Sequence, residues 1–299
     1  MTVHIREVGP RDGFQNEPER IPTDEKVRLI NALGRTGLQR IEVASFVRPD
    51  VIPQLSDGAE VLDRIDVPAH VRLMVLIPNS KGLDNALKVR GKFHDAAIFV
   101  SASETHNKRN VNRAIAETMA DNDKMARRIR EAGLGCAAVI ATSFGCPYEG
   151  KVEPDKVLGL AERFAEAGAT EIGFGDTTGM ANPRYAKEFF AAALERLPGV
   201  EVTAHFHNTR GQGLANAFAA FEAGCTSFES SFGELGGCPV PPGSTGNIAT
   251  EDLVSMFHEM GAETGISLPA LIDTARDVQN VLGRKLTSHS IVAGPIDWH

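Results

Sequence analysis

His205 and His207 stand two residues apart, behind the apolar lead of Val200 and Val202. Side chains on a strand alternate between faces, so both imidazoles point one way and Phe206 the other. Two nitrogens on one face suit a divalent metal that keeps open positions for substrate. The same spacing suits a pair of hydrogen-bonded core histidines, and these three residues alone do not choose between the two. Asp12 offers a carboxylate, and Arg11 a permanent charge able to polarise a carbonyl or hold an enolate oxygen. Asn247, behind a glycine-rich stretch, could add a carbonyl oxygen. Cys238, in Leu235-Gly236-Gly237-Cys238-Pro239, puts a thiol on a loop with hinge-like freedom, where it could deliver a proton if its surroundings tune its pKa.

For such scattered residues to meet, the fold must bring them to one place. The chain reads as short apolar strands alternating with amphipathic helices. Strands are expected at Ile5–Val8, Ile41–Val43, Val71–Val75, Ala96–Val100, Ala137–Ile140, Glu171–Phe174, the histidine stretch and Thr226–Glu229. A helix from Thr23 is expected to stop at Gly37, shorter ones follow Ser56 and span Leu83–Leu87, and the longest runs from Asn112 to Ala132. Pro154 and Pro183 fit the first position of a helix. Gly37, Gly168 and Gly224 each end a helix, and five residues later Glu42, Gly173 and Glu229 sit mid-strand. This recurring unit is the signature of βα modules around a parallel sheet, and eight of them make a (β/α)8 TIM barrel. An open doubly wound sheet fits less well, because no GxGxxG follows the first strand. One domain is expected over residues 1–299, a barrel over about 3–248 and a helical extension over about 249–299. In this reading Asp252–Met260 and Leu268–Leu282 are extra to the eight modules and cover one edge or carry an oligomer contact.

Barrel active sites lie at the C-terminal ends of the strands, which turns strand order into a spatial list. Arg11 and Asp12 follow strand one, Glu42 lies in strand two, Asp176 follows strand six, and the histidines end strand seven. Only strand eight separates strands one and seven, so Asp12 is the natural carboxylate for the histidines. Nitrogen and oxygen donors without thiolate favour Mg²⁺ or Mn²⁺ over Zn²⁺. Glu7 and Glu42 are expensive to bury unpaired and are expected to orient Arg11, with a base role open for Glu42. Taken singly, Asp12 also reads as a turn residue before Gly13, and Arg11 as half of a structural salt bridge. The basic run His106-Asn107-Lys108-Arg109 with Arg113 reads as a solvated helix start in preference to a phosphate site.

Composition narrows the partners. The chain is 42% hydrophobic and 23% charged, as in ordinary globular proteins, and its net charge of -8 argues against nonspecific nucleic-acid or membrane-surface binding. No apolar run approaches the roughly 20 residues that span a bilayer, and Met1–His4 leads straight into a strand with no signal peptide. Cys136, Cys146, Cys225 and Cys238 show no CxxC spacing, so a cytoplasmic, reducing setting is the default. Cys136 and Cys225 read as small core residues; Cys146 and Cys238, each in a Gly-Cys-Pro loop, stay open.

Longer motifs go further. Glu7-Val8-Gly9-Pro10-Arg11-Asp12-Gly13-Phe14-Gln15-Asn16-Glu17 closely resembles the opening motif of the 3-hydroxy-3-methylglutaryl-CoA lyase family. Ile41-Glu42, Ser45-Phe46-Val47, Phe144-Gly145-Cys146-Pro147-Tyr148-Glu149-Gly150, Gly175-Asp176-Thr177, Leu235-Gly236-Gly237-Cys238-Pro239, Gly246-Asn247 and Ala249-Thr250-Glu251-Asp252-Leu253 continue it in order. The resemblance spans roughly residues 3–282 and implies a metal-dependent lyase barrel of the wider group that includes isopropylmalate and homocitrate synthases. It implies Asp12, His205, His207 and Asn247 as metal ligands, Arg11 facing the thioester carbonyl and Cys238 as the loop thiol. Glu7, Gln15, Glu42, Asp176 and Arg210 would support the site or meet substrate. The implied reaction is a retro-Claisen cleavage of an acyl-CoA, and barrels of this group commonly form homodimers. Two stretches depart from the pattern. His207-Asn208-Thr209-Arg210-Gly211 stands where the family usually has His-Asp-Thr-Tyr-Gly. Ser231-Phe232-Gly233-Glu234-Leu235-Gly236-Gly237-Cys238-Pro239-Val240 replaces Ser-Val-Ala-Gly-Leu-Gly-Gly-Cys-Pro-Tyr. These departures leave three readings: cleavage of 3-hydroxy-3-methylglutaryl-CoA, the same chemistry or its reverse on another 3-hydroxyacyl-CoA, or a binding barrel without turnover.

Overall fold

In the computed structural model, residues 1–236 and 246–298 are described. Eight strands pair in chain order and in parallel: β1 (His4–Glu7), β2 (Arg40–Ser45), β3 (Arg72–Leu76), β4 (Asp95–Ser101), β5 (Gly135–Ala141), β6 (Glu171–Asp176), β7 (Glu201–Phe206) and β8 (Ser227–Ser230). β1 also pairs with β8, and the sheet closes. The expected (β/α)8 barrel is therefore present.

Around it run α1 (Thr23–Gly34), α2 (Gly58–Arg64), α3 (Ser80–Leu87), α4 (Glu104–Val111), α5 (Ile115–Glu131), α6 (Pro154–Ala167), α7 (Pro183–Arg196), α8 (Gly213–Glu222) and α9 (Thr250–Glu259). α10 (Leu268–Leu282) and α11 (His289–Ala293) follow. Pro154 and Pro183 open their helices, and Gly168 ends α6 in the left-handed conformation glycine favours.

Three expectations need correction. α9 is not extra to the barrel: it follows β8 and packs on it through Phe257, whose ring lies 5.1 Å from that of Phe228. It completes the eighth βα module, leaving α10 and α11 as the extension. The single helix expected over Asn112–Ala132 is two, because Asn112 takes a φ of 55° at the end of α4 and α5 begins at Ile115. Asparagine tolerates that left-handed conformation better than most residues. α1 ends at Gly34, and Gly37 lies beyond its cap.

Two packing features set up the mouth. Phe206 faces out from β7 onto Phe190 of α7 (5.8 Å between rings) and Phe144 (5.7 Å), and each is at most 2% exposed. Burying such a ring stabilises the fold by about 1.5–3 kcal/mol, and the strand's alternation then turns His205 and His207 inward. The interior itself is divided. Met74, Leu76 and Ala137 make an apolar wall on β3 to β5, whereas β1, β2, β6, β7 and β8 contribute Arg6, Glu42, Glu171, His205 and Glu229.

Candidate active site

The loop after β1 carries the first two site residues on a single wide turn. The Val8 carbonyl accepts from the N–H groups of Asp12 (2.7 Å) and Gly13 (3.4 Å), a π-type turn over Gly9–Gly13 of the kind that recurs at functional sites. Asp12 is both a turn residue and a neighbour of the histidines. Its carboxylate reaches a ligand atom of each histidine, all three atoms lying within 4.8 Å of one another. The Nε2 atoms of His205 and His207 are 3.1 Å apart.

Asn247 completes the set from the segment after β8. Its Nδ2 donates to Asp12 Oδ2 (2.8 Å) and the Leu235 carbonyl (3.0 Å), while its Oδ1 is buried with no partner among the described residues. A buried acceptor without a donor is costly, so this oxygen is one a cation would satisfy. Gly236, at φ 93°, permits the close approach: a Cβ there would lie 2.7 Å from Asn247 Nδ2 and 2.9 Å from Asp12 Oδ2. One carboxylate, two imidazoles and an amide oxygen fit a divalent metal, and the absence of thiolate from these four fits a hard or intermediate one.

Arg11 is held beside this set. Its Nη1 donates to Asp12 Oδ1 (2.6 Å), its Nε to Glu42 Oε2 (2.7 Å), and its Nη2 lies 2.6 Å from the same oxygen. Glu42 thus orients Arg11 as expected, while its own Oε1 is buried without a partner among the described residues. Burial pushes the Glu42 carboxyl up to about 7, against the pull of Arg11. Burial also pushes Asp12 up, but the charges of Arg11, His205 and His207 outweigh it and hold this carboxyl below the usual carboxylate range.

Glu7 does something else than orient Arg11. Its carboxylate accepts from the N–H groups of Gly9 (2.7 Å) and Phe232 (3.1 Å) and from Thr250 Oγ1 (2.7 Å), tying the loop after β1 to the segment after β8. Asp176 is similar: it accepts from the N–H groups of Met180 (2.8 Å) and Ala181 (3.1 Å), and burial pushes it up to about 7. Arg210 does not meet the cavity. Its Nη1 donates to the carbonyls of Thr178 (2.7 Å) and Gly179 (2.9 Å), clamping the loop after β6.

A cavity of about 610 Å³ opens over the site, lined by Arg11, Asp12, Gln15, Glu42, His205 and His207 among others, a size that suits a small-molecule substrate. Cys238 and Val240 lie outside the described residues. Cys136, Cys225 and Cys146 are all buried core residues. The basic run begins in the first turn of α4 and is solvated only in part: Lys108 and Arg109 are exposed, Arg109 sitting 4.2 Å over the Tyr148 ring, while His106 and Asn107 are buried; Arg113, beyond the helix, pairs with Asp121.

The two departures noted above meet in space. Asn208 Nδ2 donates to Glu234 Oε1, and Glu234 holds a φ of 63°, left-handed for a non-glycine residue. A carboxylate at position 208 would face Glu234 unfavourably, whereas the Asn208 amide donates to it.

Arg6, Glu171 and Glu229 were not among the candidates, yet they underlie the histidines: Glu229 Oε2 lies 2.9 Å from His205 Nδ1, and Arg6 bonds both glutamates. The signal was available. Charged residues on short, otherwise apolar strands are anomalous, and Glu229 stands at the same offset behind Gly224 as Glu42 behind Gly37.

Fold and site together define a (β/α)8-barrel enzyme with a divalent-metal donor set at its C-terminal mouth. The HMGL-like family model matches residues 2–278. The chain is 43% identical to a hydroxymethylglutaryl-CoA lyase of Bacillus subtilis, over 97% of this chain and 96% of that one. It is 38% identical to an (R)-citramalyl-CoA lyase of Chloroflexus aurantiacus, over 98% and 95%. Among solved structures, an HMG-CoA lyase from A. baumannii in complex with coenzyme A and 3-methylmalate superposes with a TM-score of 0.95 at 41% identity, covering 100% of this chain and 97% of that one. The chain belongs to the HMGL-like family and, with it, to the carbon–carbon lyases.

Proposed function

We propose that the protein cleaves 3-hydroxy-3-methylglutaryl-CoA to acetoacetate and acetyl-CoA with the help of a divalent cation, Mg²⁺ or Mn²⁺. The observation that carries this reading is the continuous string Glu42–Arg11–Asp12–Asn247, with both histidines facing Asp12; Glu42, Arg11, Asp12 and the histidines line the cavity, and Asn247 is buried behind Asp12. When bound, the cation would supply positive charge that acidifies the substrate's tertiary hydroxyl and neutralises its carboxylate. Asp12, His205, His207 and Asn247 would hold it.

The chain's own residues do the rest. Glu42, with a free oxygen and a carboxyl near neutrality, takes the hydroxyl proton. The bond between C2 and C3 breaks, the former hydroxyl oxygen becomes the ketone of acetoacetate, and the electron pair moves into the thioester enolate. Arg11, fixed by Glu42 and Asp12, faces the charge that develops on that oxygen. A proton delivered to the enolate carbon then gives acetyl-CoA, and Cys238 is the donor suggested by family resemblance.

The test is acetyl-CoA release from 3-hydroxy-3-methylglutaryl-CoA with Mg²⁺ or Mn²⁺, with and without chelator; no release under either metal overturns the reading. A second reading, the same cleavage of a different 3-hydroxyacyl-CoA, is favoured by the citramalyl-CoA lyase relative and the Asn208–Glu234 pair. A higher kcat/KM on citramalyl-CoA in the same assay would select it.

A further inference from the structure

Three neighbouring strands place Arg6, Glu229 and His205 side by side in one layer of the barrel interior. Arg6 is the register partner of Glu229 across β1 and β8, and His205 is its partner across β7 and β8. All three are deeply buried, at 3%, 5% and 9% exposure. Arg6 Nη1 donates to Glu229 Oε1 at 3.0 Å, and Glu229 Oε2 lies 2.9 Å from His205 Nδ1. On its far side Arg6 is gripped by Glu171 through two bonds, 2.5 Å and 2.6 Å, and Thr203 Oγ1 donates to Glu171 at 2.9 Å.

Stability does not account for this layer. Barrel interiors are ordinarily filled by branched aliphatic side chains, and a buried ion pair is seldom more stabilising than an apolar set of equal volume. What ions provide and apolar groups do not is direction. A planar guanidinium held by Glu171 fixes Glu229 at one oxygen, and the other oxygen is then aimed at His205 Nδ1. An acceptor at Nδ1 places the ring proton there and leaves the Nε2 lone pair facing His207 and Asp12.

We propose that Arg6 is a positioning residue for metal ligation: anchored by Glu171, it fixes Glu229 so that His205 presents Nε2 to the cation. The inference rests on the reading that the imidazoles hold a divalent metal. It assigns no step of the reaction to Arg6.

The experiment uses Mn²⁺ alone, without substrate. Metal-free wild type, Arg6→Met and Arg6→Lys are titrated with Mn²⁺ by calorimetry. Arg6→Met should raise the Kd about 10–100-fold, the range typical of residues that orient a ligand. Arg6→Lys, which grips only one carboxylate at a time, should recover part of it. At saturating Mn²⁺ the kcat of Arg6→Met should return toward wild type, a split that a generally damaged barrel would not show. Independently of any Arg6 variant, the long-range imidazole ¹⁵N–¹H spectrum of the Mg²⁺-loaded wild type should show His205 protonated at Nδ1, its signal assigned by loss in His205→Gln. An Arg6→Met protein that folds and binds Mn²⁺ within twofold of wild type overturns the inference, as does a His205 protonated at Nε2. If Arg6→Met does not fold, the wild-type spectrum decides. Wild type that binds no Mn²⁺ overturns the metal reading itself, whereas failure to cleave one particular thioester touches neither measurement.

Discussion

Strands β2 and β8 flank β1 on either side, each carries one fully buried glutamate at the same offset behind a glycine, and the two end in opposite states. Burial pushes Glu229 up, but its hydrogen bond to His205 and the charge of Arg6 hold it down at about 2. Burial pushes Glu42 up to about 7, with Arg11 pulling the other way and Glu229 and Asp12 adding to the rise. Depth does not separate them. The second oxygen does: on Glu229 it lies 2.9 Å from His205 Nδ1, and on Glu42 it has no partner among the described residues. In a low-dielectric interior a missing donor is felt almost as strongly as a missing counter-charge. One glutamate is thereby a fixed strut and the other an exchangeable acid.

Removing the exchangeable acid should have the largest effect. Glu42→Gln keeps the shape and is expected to lower kcat about 10²–10⁴-fold at saturating Mn²⁺, the usual worth of a general base. A loss below tenfold in acetyl-CoA release would place the base elsewhere. Arg11→Lys should follow, with a fall of about 10²–10³-fold in kcat, because an ammonium cannot serve Glu42, Asp12 and an enolate oxygen in one plane.

The state of Glu42 can also be read without turnover. A carboxyl at about 7 is half protonated at neutral pH in the metal-free protein, and a nearby divalent cation drives that proton off. Loading with Mg²⁺ at pH 7 should therefore release roughly half a proton from this group, seen as a dependence of the binding enthalpy on buffer ionisation. Glu42→Gln should lose that increment.

Glu251 sharpens the comparison away from the metal. It shares Glu42's condition, with one oxygen on the Gly233 N–H (2.8 Å) and the other buried without a partner among the described residues, and burial pushes it up to about 7. Because its folded pKa is raised, its contribution to stability is fully present below about 4.5 and is lost as pH rises through about 7. Thermal melts from pH 5 to 9 should show wild type losing on the order of 1–3 kcal/mol that Glu251→Gln does not lose. Parallel curves for the two proteins would refute it.

The smallest effect concerns the Asn208–Glu234 pair. Glu234→Gly relieves a left-handed cost of about 1–2 kcal/mol but strands Asn208, so the net change should stay within about 1 kcal/mol. Asn208→Asp alone should destabilise by a similar amount, and the double variant should recover it. Additive effects in this double-mutant cycle would show that the two positions are not coupled.

Much of this was legible in order along the chain. Glycines that stop helices, short apolar strands and the recurrence of the unit specify a barrel, because each rests on local geometry and periodicity. Arg11, Asp12, Glu42 and the histidines were visible because strand order in a closed barrel fixes which ends are neighbours. The errors share a cause. Glu7 and α9 were misread because what a side chain or a helix packs against depends on loops whose path no periodicity encodes. Arg6 is conspicuous as a charge on a short apolar strand, but its role depends on partners 165 and 223 residues away that only the fold brings to it.

By itself, then, the amino-acid order determined the module count, the inward direction of His205 and His207 and the chemical class of the donors, all consequences of alternation and residue type. Only the tertiary structure decided which carboxylate is a strut and which an acid. Those states are set by where a second hydrogen-bond donor lies across the barrel, and by the low dielectric that makes its absence costly.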